Sequence, residues 1–169
     1  MILTREKILE EMAAGSIVVD PFEDDMLGPA SVDLHLGDEI RVMSEDAQPV
    51  DVLDDVDFRE LTELRSLTTP FALATGSTIH GITRERIRLS PNICGWLEGR
   101  SRFARLGLMI HVTAGFVAPG VSNRQVLEIS NVSGRTLNIH RGTRICQLIF
   151  QRTDGSAVYA GRFAKQESL

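Results

Sequence analysis

Cysteine is nearly absent: Cys94 and Cys146 are the only two in 169 residues. Neither sits in a CxxC pair or a Cys/His cluster, which argues against a disulfide framework and a structural zinc site. A reducing, cytoplasmic compartment is the simplest setting, with both thiols acting as small buried hydrophobes. Long apolar runs are also missing, and the first residues, "MILTREKILEEMAAGS", carry acids unlike a signal or transit peptide. No membrane contact is expected. Repeats, low-complexity tracts and an interdomain linker are lacking too. Residues 1–169 therefore read as a single domain, of a size at which folding buries roughly 70% of the unfolded chain's surface.

The most informative shortage is local. The net charge is −5, yet residues 1–69 hold 5 Lys/Arg against 18 Asp/Glu, a balance of −13, while residues 70–169 hold 13 against 5, a balance of +8. Anion chemistry belongs to the second half. An acidic chain lacks the extended basic face that a nucleic-acid polymer requires. A local arginine cluster suits a small, highly charged anion instead. The cluster lies in "GRSRFARLGLMIHVTAGFVAPGVSNRQVLEI", where Arg100, Arg102, Arg105 and Arg124 meet no acid before Glu128.

Turning to what is present, Thr4 is placed to cap a short helix reaching Met12 or Ala13, with Ile8, Leu9, Met12 and Ala13 on one side and Gly15 as its stop. After it the pattern becomes short runs separated by Gly, Pro, Asn and Ser. "SVDLHLGDEIRV" puts Val32, Leu34 and Leu36 on one face, and "FALATGSTIHGI", "IRLSPNICGWLEG", "LGLMIHVTAG", "RQVLEISNV" and "TLNIHRGTRICQLIFQR" follow. Many short strands at close spacing indicate an all-β barrel or sandwich. The acidic "SEDAQPVDVLDDVDFRELTELRS" has little periodicity and reads as a surface excursion between strands. The tail, residues 155–169, is either disordered or folded over a ligand.

"GRSRFARLG" reads as a tight turn into one or two helical turns closed by Gly107, with Ser101 at the N-cap. Free backbone N–H groups, a hydroxyl and arginines make a phosphate cradle there; a surface turn with solvated arginines is the alternative. Alternation along "RQVLEISN" puts Leu127 and Ile129 on one face and Val126, Glu128 and Ser130 on the other. A lone glutamate on such a strand is ordinarily solvated. The surrounding excess of arginine makes Glu128 the candidate base beside an anion site. His111 reads as a packed or hydrogen-bonded strand residue, Trp96 as core or interface, and Asp33 and Glu98 as groups that fix turns or arginines.

"EGRSRFARLGLMIHVTAG", then "VLEI" and "GTRICQLIF", with "ASVDLHLGDEI" before and "YAGRFAKQ" after, closely resembles the dCTP deaminase family of the trimeric dUTPase-like superfamily. The resemblance covers nearly the whole chain. It implies a mainly β fold, a distorted β-barrel or jelly-roll of the dUTPase-like type with a short N-terminal helix, assembled as a homotrimer with sites across subunit interfaces. Matched motif by motif, Arg100, Ser101, Arg102 and Arg105 fall on the triphosphate and base-binding segment, with Ser101 and Arg105 expected to serve a neighbour's site. Ala114 falls where a main-chain group orients the water and pyrimidine. Val126 and Leu127 fall on the strand that reads cytosine, and Glu128 matches the catalytic glutamate. Gln147, Tyr159, Arg162 and Gln166 match ligand-contacting positions of the last strand and closing tail.

The activity so implied is metal-free hydrolytic deamination of dCTP to dUTP and ammonia, with Mg²⁺ only as a companion of the triphosphate. The four histidines and two cysteines supply no H-x-E and P-C-x-x-C pair for zinc. If partial burial raises its pKa, Glu128 shuttles protons better near neutrality. One departure bears on the product. "TAGFVAPG" puts Ala118 where the family's T-A-x-x-I-D-P-G carries an aspartate that contacts the deoxyribose and, in dUTP-hydrolysing relatives, supports attack on the α-phosphate. Two alternatives therefore stand beside the main reading: a bifunctional enzyme that forms dUMP and pyrophosphate, and a catalytically silent nucleotide-binding trimer that senses pyrimidine pools, dUTP or dTTP included.

Overall fold

The computed structural model describes residues 1–44, 48–111 and 113–169. Thr4 precedes helix α1 (Arg5–Ala13), and its carbonyl accepts the Ile8 N–H at 2.8 Å, although its hydroxyl forms no cap. The helix buries Ile8 and Glu11. Leu9, expected on the inner side, is instead exposed. Glu11 occupies that side because its carboxylate pairs with Arg152 from the far end of the chain.

Eleven strands follow: β1 (Ile17–Asp20), β2 (Ser31–Met43), β3 (Thr62–Ser66), β4 (Phe71–Leu73), β5 (Thr78–Leu89), β6 (Ile93–Gly99), β7 (Leu108–Ile110), β8 (Phe116–Val117), β9 (Ser122–Asn131), β10 (Leu137–Ile139) and β11 (Arg144–Arg152). The main sheet runs β7-β9-β5-β2-β11-β6-β8, with β1 added beside β5 and β3 beside β2, while β4 and β10 form a separate ladder. Alternation decides what faces inward. Val32, Leu34 and Leu36 of β2, Leu127 and Ile129 of β9, and Leu148 and Phe150 of β11 are all buried. The sheet curls into a half-barrel around them, as the mainly β expectation required.

Two bulges shape the centre of this sheet. Register shifts fall between Leu36 and Ile40 on β2 and between Ile82 and Arg86 on β5. Glu85 lies inside the second shift and is fully buried. Its charge is matched by the His35 ring at 2.7 Å, the His35 backbone N–H at 2.8 Å and Arg84 Nε at 3.0 Å. A buried carboxylate persists only when paired in this way.

The acidic excursion is more ordered than its composition indicated. Residues 45–47 lie outside the described residues, but Thr62–Ser66 forms β3, in register against β2 from Glu39 to Met43. Its hydrogen bonds come from a neighbouring strand, so apolar period is not needed to hold it. The "LMIHVTAG" strand is likewise shorter than expected and stops at Ile110. Cys94 and Cys146 are buried free thiols, and burial pushes the Cys146 pKa up. Among the described residues no helix is long and apolar enough to cross a membrane.

Candidate active site

Glu128 emerges from β9 on the side opposite Leu127 and Ile129, onto the wall of a cavity of about 350 Å³. Its side chain is 38% exposed. Two histidines flank it. His80 on β5 is its cross-strand partner. His111, just past β7, donates its backbone N–H to the Glu128 carbonyl at 2.8 Å and brings Nδ1 within 2.5 Å of Oε2. The ring nitrogen is not aligned for a hydrogen bond to that oxygen, so the two atoms meet in a close polar contact. His111 adopts φ +51°, the only non-glycine residue with positive φ among those described. The chain bends at this residue, just after β7 ends at Ile110.

Burial pushes the Glu128 pKa up, but contact with His111, with a smaller contribution from nearby His80, outweighs it and holds the carboxyl below its ordinary value. Burial alone would raise it toward neutrality; the net shift is downward. Desolvation is present, yet it loses to close partners that favour the anion. Glu128 is ionised at neutral pH and can take a proton without first losing one.

The cavity also receives Ala114, Ala118, Val126, Tyr159 and Gln166. The tail is folded against the site. Tyr159 N–H donates to the Pro119 carbonyl at 2.9 Å, Gln166 exchanges hydrogen bonds with Arg124 at 3.0 and 3.2 Å, and Asn123 holds the Phe163 carbonyl at 2.8 Å. Gly120, at φ +70°, lies under Val158, where a Cβ would stand 2.9 Å from the Val158 Cα, so only glycine lets the tail lie this close.

Other expected residues stand elsewhere. Leu127 is fully buried and can offer a ligand only its backbone. Arg162 is not on the wall of this cavity; its Nη1 donates to the Val56 carbonyl at 3.2 Å and its other amine lies 3.7 Å from Asp57. The acidic excursion attracts it electrostatically. Arg100, Ser101, Arg102 and Gln147 line a second hollow of about 300 Å³ with Ser31 and Asp33. There Arg100 meets Asp33 at 2.9 Å and the Arg144 carbonyl at 2.9 Å. Burial raises the Asp33 pKa, and Arg100 opposes it. Helix α2 (Ser101–Ala104) is a single turn capped by Arg100, so Ser101 is its first helical residue and not its N-cap. Arg105 closes that turn, its N–H donating to the Ser101 carbonyl at 3.1 Å, and lines neither hollow.

Sequence reasoning missed His80, Asn123, Gln125 and Phe58 on the cavity wall and read His111 as a packed or hydrogen-bonded strand residue without a part in the site. The alternation around Glu128 predicts its strand but not which strand pairs with it, so His80 carried no signal. Asn123 and Gln125 precede Val126 and Glu128 along β9 and line the cavity beside the β5/β9 register shift, which one strand's alternation does not reveal. Trp96, expected in the core or an interface, is 43% exposed, its ring 5.0 Å from that of Phe116.

A family model described as dCTP deaminase-like matches residues 2–153. The chain belongs to the dCTP deaminase-like family. Relatives within it include the Methanobrevibacter smithii protein named "dCTP deaminase, dUMP-forming", 38% identical over 89% of this chain and 79% of its own length. An Acidothermus cellulolyticus protein of the same name is 35% identical over 98% and 91%. The crystal structure of 2'-deoxycytidine 5'-triphosphate deaminase from Agrobacterium tumefaciens superposes with a TM-score of 0.71 at 22% identity, covering 90% of this chain, which spans 48% of that one. The EIAV dUTPase aligns with a TM-score of 0.54 at 16% identity, over 86% and 95%. Those two likenesses place the dCTP deaminase-like chain in the dUTPase-like fold.

Proposed function

We propose that this chain hydrolyses dCTP at C4 of cytosine, releasing ammonia, with Glu128 as proton carrier. The observation that carries the reading is an ionised carboxylate on the wall of a nucleoside-sized cavity, in a chain whose relatives are named dCTP deaminases. Glu128 takes a proton from water as its oxygen adds to C4. Protons then pass to N3 and to the amino group, the C–N bond breaks, and C4 keeps the oxygen as a carbonyl. One dCTP and one water give one dUTP and one ammonia. Positioned proton transfer of this kind contributes about 10²–10⁴-fold.

The triphosphate groups support a site shared between copies. Arg100, Ser101 and Arg102 line a hollow separate from that of Glu128, and Arg105 lines neither, so one chain does not gather both halves. In a homotrimer the arginine segment of one chain completes the cavity of the next. Mg²⁺ enters as a companion of the triphosphate, held by phosphate oxygens and water. Among the described residues no group of three or more His, Cys, Asp or Glu is placed to hold a resident ion. The working unit is one domain of residues 1–169, closed by residues 155–169, acting on free nucleotides in the cytoplasm.

A second reading, in which the chain carries the product on to dUMP and pyrophosphate, is favoured by relatives named dUMP-forming. Ala118 opposes it, since Glu128 is the only acid among the described residues lining the cavity. Incubation with dCTP or dUTP and Mg²⁺, resolving dUTP, dUMP, ammonia and pyrophosphate, decides. Ammonia with dUTP supports deamination alone, ammonia with dUMP supports the bifunctional enzyme, and binding without any product leaves the nucleotide-sensing trimer.

A further inference from the structure

Arg41, His80 and Glu128 form a row across three adjacent strands, Arg41 opposite His80 between β2 and β5 and His80 opposite Glu128 between β5 and β9. Directly opposed residues of an antiparallel pair project from the same face, about 5 Å apart. The row therefore sets an imidazole on the cavity wall beside the carboxylate.

That imidazole is held by the acidic excursion. Phe58 stands edge-on against it, ring centroids 5.1 Å apart at 72°. Phe58 is fixed in turn by the guanidinium groups of Arg59 at 5.3 Å and Arg41 at 6.0 Å, and its carbonyl accepts the Thr62 hydroxyl at 2.8 Å. The ring is well packed, and among the described residues it has no hydrogen-bond partner: its Nδ1 is sealed from solvent and unpaired. Burial holds its pKa below 6.5, Arg41 acting in the same direction and Glu128 against it, so the ring is neutral at pH 7. A neutral imidazole has one N–H. On Nδ1 that donor would be buried and unpaired; on Nε2 it is available to whatever fills the cavity.

A leucine would pack against Phe58 without leaving a sealed nitrogen, so the histidine costs the free protein stability. Binding can recover that cost. We propose that His80 is a further substrate-binding residue, its Nε2–H donating to an acceptor on the polar edge of the pyrimidine held beside Glu128. The inference rests on the reading of this cavity as a cytosine nucleotide site.

Steady-state kinetics with dCTP on the native chain, His80→Leu and His80→Gln test it. The expected result is a KM raised about tenfold in His80→Leu with kcat within threefold, and a KM largely restored in His80→Gln, whose amide N–H reaches the position of Nε2. An unchanged KM in His80→Leu, or His80→Gln no better than His80→Leu, overturns the proposal and leaves a packing role. A measurement that needs neither variant to fold is the ¹⁵N signal of His80 in the Glu128→Gln protein. It should move at Nε2 on saturation with dCTP; an unmoved signal while dCTP is bound overturns the proposal alone. A native chain that neither binds nor deaminates dCTP sinks the functional reading, and this inference with it.

Discussion

His111 Nδ1 and Glu128 Oε2 stand 2.5 Å apart, on residues already tied by a backbone hydrogen bond. The histidine thereby sets the protonation range of the carboxylate. With burial pushing the Glu128 pKa up and His111 bringing it down, removing the imidazole leaves burial to act.

The acid limb of kcat/KM should therefore lie below pH 4.5, the ordinary carboxylate value, in the native chain and should move upward in His111→Ala. The sign for stability is the same. A carboxyl whose pKa is depressed by folding contributes stability above its ordinary value, and loses it as pH falls through the lowered one. A limb that stays in place in His111→Ala would show that Glu128 is not the group titrating.

Subunit sharing predicts rescue. Glu128→Gln and Arg105→Ala should each be inactive alone, the first by loss of the proton acceptor and the second by loss of an arginine expected to serve the neighbouring site. Mixed and allowed to exchange subunits, they should regain activity by placing one intact half of each in a common site. Monomeric sedimentation, or proven exchange without rescue, contradicts the arrangement.

How far these residues were legible follows from the range of the forces involved. Leu127, Glu128 and Ile129 declared their faces through alternation, a property of one strand alone, and Val32, Leu34 and Leu36 did the same. Gly15 marked the end of α1 because φ +71° favours glycine. His80, Phe58 and β3 stayed hidden because each owes its place to another strand or to a ring packed from outside the sheet. The direction of the Glu128 pKa was not legible for the same reason, since it depends on burial and on the His111 contact, and its neighbours in sequence reveal neither.

Glu85 offers a test of the fold itself. Its fully buried carboxylate balances His35 and Arg84 at the bulge, so Glu85→Ala leaves cationic and polar groups without their partner and should cost about 3–5 kcal/mol. Urea unfolding reads this directly. The exposed pair of Lys7 and Glu10 provides the contrast: Lys7→Ala should leave the midpoint unchanged, because solvent screens such a pair. Equal midpoints for both variants would mean that the Glu85 cluster does not hold the bulge.

On the proposed reading, Ala118 should decide the product. It lines the cavity with Glu128, and among the described lining residues no second acid is present to accept from a sugar hydroxyl or to assist water at phosphorus. The proposed deamination takes its base, Glu128, from β9 and should survive this lack. Turnover of dCTP should then clearly exceed that of dUTP, and removal of the 3'-hydroxyl from dCTP should change KM little. Ala118→Asp restores an acceptor, and binding of the deoxynucleotide should tighten by about 1.5–3 kcal/mol, the scale of a hydrogen bond to a charged group. The gain should vanish for the 3'-deoxy analogue, which isolates the contact from general electrostatics. Michaelis constants for the two nucleotides in the two proteins are sufficient. If the native chain turns over dUTP as fast as dCTP, or if Ala118→Asp discriminates no better at the 3'-hydroxyl, the sugar and α-phosphate are handled by groups from a neighbouring chain, and the dUMP-forming reading prevails.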